Sequence, residues 1–154
     1  MLSYRTILVP VDFEEASDSA LQAAADLAQK FNAKLILMHA YELPFYPYPG
    51  TSLTATNDLP RAIHEAATAG LDGMVGRVKA QVPDTESLLR AGAPADEILA
   101  VAKERNVDLI VMGTHGRKGF AHALLGSIAE KVLRRADLPV LTVHAAPTVT
   151  PPAA

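Results

Sequence analysis

Five short apolar runs recur along the chain, separated by stretches of helical periodicity. They are TILVPV (Thr6 to Val11), LILMHA (Leu35 to Ala40), SLLRAG (Ser87 to Gly92), DLIVMG (Asp108 to Gly113) and LPVLTV (Leu138 to Val143). Four of them are nearly continuous in apolar residues, which is how strands buried on both faces of a parallel sheet read. SLLRAG is more polar and suits an edge. In the first intervening segment, about Ala16 to Phe31, the residues Ala20, Leu21, Ala24, Leu27, Ala28 and Phe31 fall on one helical stripe. The second helix starts near Leu59, with Asn57 or Asp58 as its cap and Pro60 in its first turn, and runs to about Gln81. Gly70, Gly73 and Gly76 weaken its middle, by roughly 1 kcal/mol each relative to alanine where exposed. A third helix opens at Pro94, with Asp96 and Glu97 where the helix dipole favours acids, and a fourth follows Gly126. This alternation predicts an α/β fold: a doubly wound parallel sheet of five strands with right-handed crossovers.

With 154 residues the chain is long enough for one domain with one core. We expect that domain over residues 1–146 and a flexible tail over 147–154. The net charge of −3 gives no reason to expect nucleic acid as a partner. No apolar run approaches the roughly 18 residues of a membrane span, so no membrane association is expected either. Without cysteine, disulfides, thiolate zinc sites and thiol chemistry are excluded, and a cytoplasmic location fits. The segment Tyr41 to Asp58 is long for a strand-to-helix connection and rich in tyrosine and proline. It reads either as a proline-stiffened surface loop or as a lid or partner-docking segment.

In an open α/β sheet, ligands bind beyond the carboxyl ends of the strands, where strand order reverses. Asp12, just past the first run, could accept hydrogen bonds from ribose hydroxyls or an adenine amino group. It could equally be a turn aspartate or a cap for the first helix, a role open to Ser17 as well. Past the fourth run lies GTHGRKGFAHALLGS, Gly113 to Ser127, rich in glycine and leading into a helix. A helix start with free N–H groups is a ready anion site, and glycines let backbone N–H groups approach phosphate oxygens. The competing reading is structural. Ser127 and Glu130 fit a capping box that needs no ligand, and Gly113 could simply end a strand. Arg117 and Lys118 either offset phosphate charge or form a solvated basic pair. There is no P-loop and no G-x-G-x-x-G after the first strand. None of the histidines makes an i, i+4 pair, so no metal site is indicated, and His39 and His144 read as packed or interfacial.

Gly113-x-x-Gly116, nine residues, then Gly126-Ser127 resembles the G-2x-G-9x-G-[S/T] signature of the ATP-binding branch of the universal stress proteins. ILVPVDFEEAS, LILMHAYE, GAPADEIL, DLIVMGTHGRKGF and LLGSIAEKVLRRADLPVLTV resemble that family's other segments, from about Arg5 to Val143. The resemblance implies an adenine nucleotide alpha-hydrolase-like (Rossmann-like) sheet in the order 3-2-1-4-5. It implies that Pro10, Val11 and Asp12 hold the adenosine, with Ala40 beside the adenine. Met112 and Gly113 would lie under the ribose and phosphates. His115, Gly116 and Arg117 would start the phosphate loop, and Gly126, Ser127 and Ile128 would form the phosphate-binding helix start. It further implies ATP, with magnesium or manganese brought by the nucleotide, and a homodimer through the strand at 138–144. Function would then be that of a nucleotide-dependent stress-response module and not primarily a catalyst. The alternatives are an interaction protein of the same fold docking partners through 41–58, and a slow ATPase; no catalytic residue is assigned.

Overall fold

The computed structural model describes residues 2–43, 58–114 and 125–145. The elements alternate strictly: β1 (Thr6–Pro10), α1 (Glu15–Phe31), β2 (Lys34–Tyr41), α2 (Asp58–Val78), β3 (Thr85–Ala91), α3 (Pro94–Glu104), β4 (Leu109–Gly113), α4 (Ser127–Arg135) and β5 (Val140–Val143). The strands form one parallel sheet in the order β3-β2-β1-β4-β5. SLLRAG does lie on an edge strand, and the last run lies on the other edge.

The near-continuous apolar runs follow from the two layers they serve. Successive side chains of a strand point to opposite faces. Ile7 and Val9 of β1, Leu35 and Leu37 of β2, and Leu109 and Val111 of β4 form one core with α1 and α2. Leu8, Ile36, Met38, Ile110 and Met112, the residues in between, form a second core with α3 and α4. Each central strand therefore needs an apolar residue at every position.

The α1 stripe faces the first core, with Ala20, Leu21, Ala24 and Ala28 buried and Leu27 and Phe31 packed at its margin. Its small residues let the helix lie close to the sheet. The helix stops at Asn32, whose left-handed backbone (φ 53°) lets its N–H reach the carbonyls of Ala28 and Gln29. The second helix ends at Val78, short of the expected Gln81. There the chain turns, with the N–H groups of Gln81 and Val82 both donating to Val78 O at 3.0 and 2.8 Å. Arg5 N and Thr6 N donate to Asp108 Oδ2 at 2.8 and 2.9 Å, which aligns the starts of β1 and β4.

Some sequence expectations lie outside the described residues: most of the tyrosine-proline segment with Asn57, the loop residues His115, Gly116, Arg117 and Lys118, and the tail at 147–154.

Candidate functional site

The carboxyl ends of β1, β2 and β4 converge on a cavity of about 480 Å³. That volume falls in the range of small-molecule and cofactor sites. Pro10, Val11, Asp12, Glu14 and Ser17 line it from β1 and the start of α1. Met38, His39 and Ala40 contribute from β2, and Met112, Gly113 and Thr114 from β4. Pro94 and Ile98 of α3 and Gly126, Ser127, Ile128 and Ala129 at the start of α4 complete it. This is the place where strand order reverses, since β1 is followed on one side by β2 and on the other by β4.

The cavity thus brings together Pro10, Val11, Asp12, Ala40, Met112, Gly113, Gly126, Ser127 and Ile128, nine of the residues expected from sequence. The remaining three, His115, Gly116 and Arg117, lie outside the described residues. Sequence reading missed Glu14, Met38, Thr114, Pro94, Ile98 and Ala129, and gave Ser17 and His39 only local roles. Each of these lies inside one of the segments that carry the family resemblance, so the signal was membership of a segment rather than a motif of its own.

Asp12 is a turn aspartate and more. Its Oδ1 accepts from Glu14 N at 3.0 Å, a local turn bond, and from the Ser17 hydroxyl at 2.6 Å. Ser17 Oγ in turn accepts from Asp12 N at 2.9 Å. Buried Ser17 therefore does not cap α1; the N-cap residue is Glu14, which makes no side-chain cap bond. Its hydroxyl instead braces the exposed Asp12 carboxylate. Oδ2 accepts no hydrogen bond from any described residue, which leaves an acceptor at the cavity.

The start of α4 corrects the capping-box expectation. Gly126 is the N-cap and Ser127 the first helical residue, so the serine sits one position too late to cap. Glu130 pairs with Arg134 at 2.8 Å instead of reaching back. Ser127 and Ile128 are exposed, and among the described residues none accepts a hydrogen bond from their N–H groups. The helix start keeps its donors and its positive dipole end open toward the cavity.

The two described glycines of the signature have structural reasons. A Cβ on Gly113 would lie 2.8 Å from Ala16 backbone and side-chain atoms, so β4 and α1 meet there only because residue 113 has no side chain. A Cβ on Gly126 would lie 2.7 Å from Thr114 O, the atom to which Gly126 N donates at 2.6 Å. Thr114 is a junction. Its N–H donates to Val143 O at 3.0 Å, and its hydroxyl lies 2.9 Å from His144 Nδ1.

Carboxylates and backbone N–H donors are separated across the cavity. Asp12 and Glu14 place carboxylates at the β1 end, and the α4 start supplies N–H groups at the other. Between them Val11, Met38, Ala40 and Met112 give an apolar floor. Such a site suits an elongated ligand with a hydroxyl- or amino-bearing end, a flat apolar middle and an anionic end. No group of three or more metal-ligating side chains occurs among the described residues. No helix among them is long and apolar enough to cross a membrane.

Comparison with known proteins agrees with this architecture. A universal stress protein of Thermus aquaticus is 35% identical over 141 residues, covering 92% of this chain and 99% of that one. A universal stress protein solved in complex with cAMP superimposes with a TM-score of 0.68 at 32% identity, covering 94% of this chain and 100% of that chain. The universal stress protein of Archaeoglobus fulgidus solved with dAMP gives a TM-score of 0.65 at 25% identity, covering 92% and 99%. Residues 3–144 match the universal stress protein family model, and the chain belongs to that family.

Proposed function

We propose that this cavity binds an adenine nucleotide, ATP with its accompanying magnesium or manganese, and that the protein acts through its nucleotide state rather than through turnover. The observation that carries the reading is the uncapped start of α4 facing the braced Asp12 carboxylate across an apolar floor. Asp12 Oδ2 would accept hydrogen bonds from ribose hydroxyls or the adenine amino group, and Pro10, Val11, Met38 and Ala40 would bury the base. Gly126, Ser127 and Ile128 would hold phosphates with backbone N–H groups and the serine hydroxyl, above Met112 and Gly113. His115, Gly116 and Arg117 would continue the phosphate contacts. The cAMP and dAMP complexes of the two relatives support an adenine nucleotide. The length of the glycine signature supports a polyphosphate. The metal would reach the site on the phosphates and neutralise part of their charge.

The same reading makes the protein a homodimer through residues 138–144. In support, β5 is an edge strand and carries Leu141, which is 40% exposed. An apolar edge of this kind is a template for pairing with another chain. A stress-response role and a cytoplasmic location belong to this proposal.

Thermal unfolding with Mg-ATP, Mg-GTP and cAMP, on protein checked for co-purified nucleotide, tests it. A ligand at a hundred times its dissociation constant adds about 2.7 kcal/mol, a rise of several degrees for a domain of this size. A rise with ATP, a smaller one with cAMP and none with GTP is expected. No rise with any adenine nucleotide would overturn the reading.

A further inference from the structure

Gly70 stands in the middle of α2, far in sequence from the cavity, where glycine weakens a helix. A Cβ there would lie 2.8 Å from Cε1 of the Phe13 ring, whereas a Cβ on Gly73 or Gly76 would meet nothing within 4 Å. Of these helix glycines, Gly70 alone makes room for another side chain, and that side chain adjoins Asp12. Phe13 is itself unusual. Its φ is 65°, the left-handed region that a bulky residue seldom adopts, and its side chain is not hidden, since the residue is 41% exposed. Burial alone does not account for that backbone.

The ring packs on His39, with centroids 4.5 Å apart and planes tilted by 41°. His39 Nδ1 lies 2.7 Å from Val11 O. A carbonyl only accepts, so Nδ1 carries the proton and donates. The imidazole is thereby fixed to the carbonyl immediately before Asp12, and Phe13 is fixed to the imidazole immediately after it. The bonds from Asp12 N to Ser17 and from Glu14 N to Asp12 Oδ1 span the same turn. Moving Phe13 to an ordinary backbone conformation would swing Glu14 N away from the carboxylate.

We propose that Phe13, packed on His39 and seated in the space left by Gly70, is a positioning residue that aims the Asp12 carboxylate into the cavity. The proposal rests on the adenine-nucleotide reading of that cavity. It makes α2 part of the site without any contact between α2 and ligand, because the helix sets where the ring can sit.

The test compares Gly70→Ala with Gly73→Ala in the full chain, each with and without Phe13→Ala. Two quantities are measured: hydrogen exchange of the Asp12 and Glu14 amides in nucleotide-free protein, and the Mg-ATP dissociation constant. Gly73→Ala is expected to change neither. Gly70→Ala is expected to speed both amides and to weaken Mg-ATP about tenfold. With Phe13 already removed, the methyl at 70 should add no further loss, because the contact it disturbs is gone. Phe13→Tyr, which keeps the ring, should retain the wild-type constant. The proposal is overturned if Gly70→Ala leaves the two amides as protected as in wild type. It is also overturned if the amides loosen while Mg-ATP affinity stays the same, or if the loss is equal with and without Phe13. Should the wild-type protein bind no adenine nucleotide, the proposed function falls, and the exchange measurement alone then decides whether Phe13 positions Asp12.

Discussion

Gly113 and Ser127 belong to one signature, yet substitution should affect them differently. At Gly113 an added methyl would press on the Ala16 backbone at 2.8 Å, and backbone has little freedom to yield. Gly113→Ala is expected to destabilise the nucleotide-free protein by about 1–3 kcal/mol, as overpacking does, read by denaturant unfolding. Lost nucleotide binding in such a variant would therefore say little about phosphate contacts. Ser127 is exposed and caps nothing. Ser127→Ala should leave unfolding unchanged within about 0.5 kcal/mol, the usual span for an uncoupled surface position. It should weaken ATP by about 1.5–3 kcal/mol if the hydroxyl bonds a charged phosphate oxygen, measured by titration calorimetry. A stability loss near 1 kcal/mol without ligand would restore the capping role that the helix geometry rejects. Sequence alone marked both positions but not this division, because a spacing motif does not reveal which neighbour lies 2.8 Å away.

At the scale of elements, periodicity revealed nearly everything that lies in the core. Continuous apolar runs became β1, β2 and β4 because alternate residues feed two cores, and the more polar run became edge strand β3. Leu37→Ala, at a fully buried position of β2, is expected to cost about 2–5 kcal/mol in chemical unfolding. What periodicity missed was local chemistry at element ends. Ser17 looked like a cap and is a brace for Asp12; Ser127 looked like a cap and is the first residue inside α4. Ser17 lies three residues past the N-cap of its helix and Ser127 one past its own, and hydrophobic pattern is blind to such polar register. The glycines of α2 show the same limit. All of them lowered the expectation of a helix, yet α2 runs through them because Ala67, Leu71, Met74 and Val78 bury its inner face. Gly73→Ala and Gly76→Ala, exposed with open space around them, should each stabilise the protein by up to about 1 kcal/mol and raise Tm by roughly 2–4 °C.

For the whole molecule, the edge at β5 is the feature with the widest reach. If pairing of two copies there hides Leu141, then Leu141→Lys should shift sedimentation from dimer to monomer while leaving helical circular dichroism intact; an unchanged dimer would place the interface elsewhere. The central position of β1 matters in another dimension, time. On one side Thr6 lies beside Lys34, within reach of a growing chain almost at once. On the other its N–H waits for Asp108, 102 residues away in sequence. Until that later stretch arrives, this strand, buried at four of its five positions, has one open flank. Closing so long a loop is entropically slow. The newly made protein therefore spends the interval with one edge of an apolar strand unpaired, and that interval is when it is most exposed to aggregation.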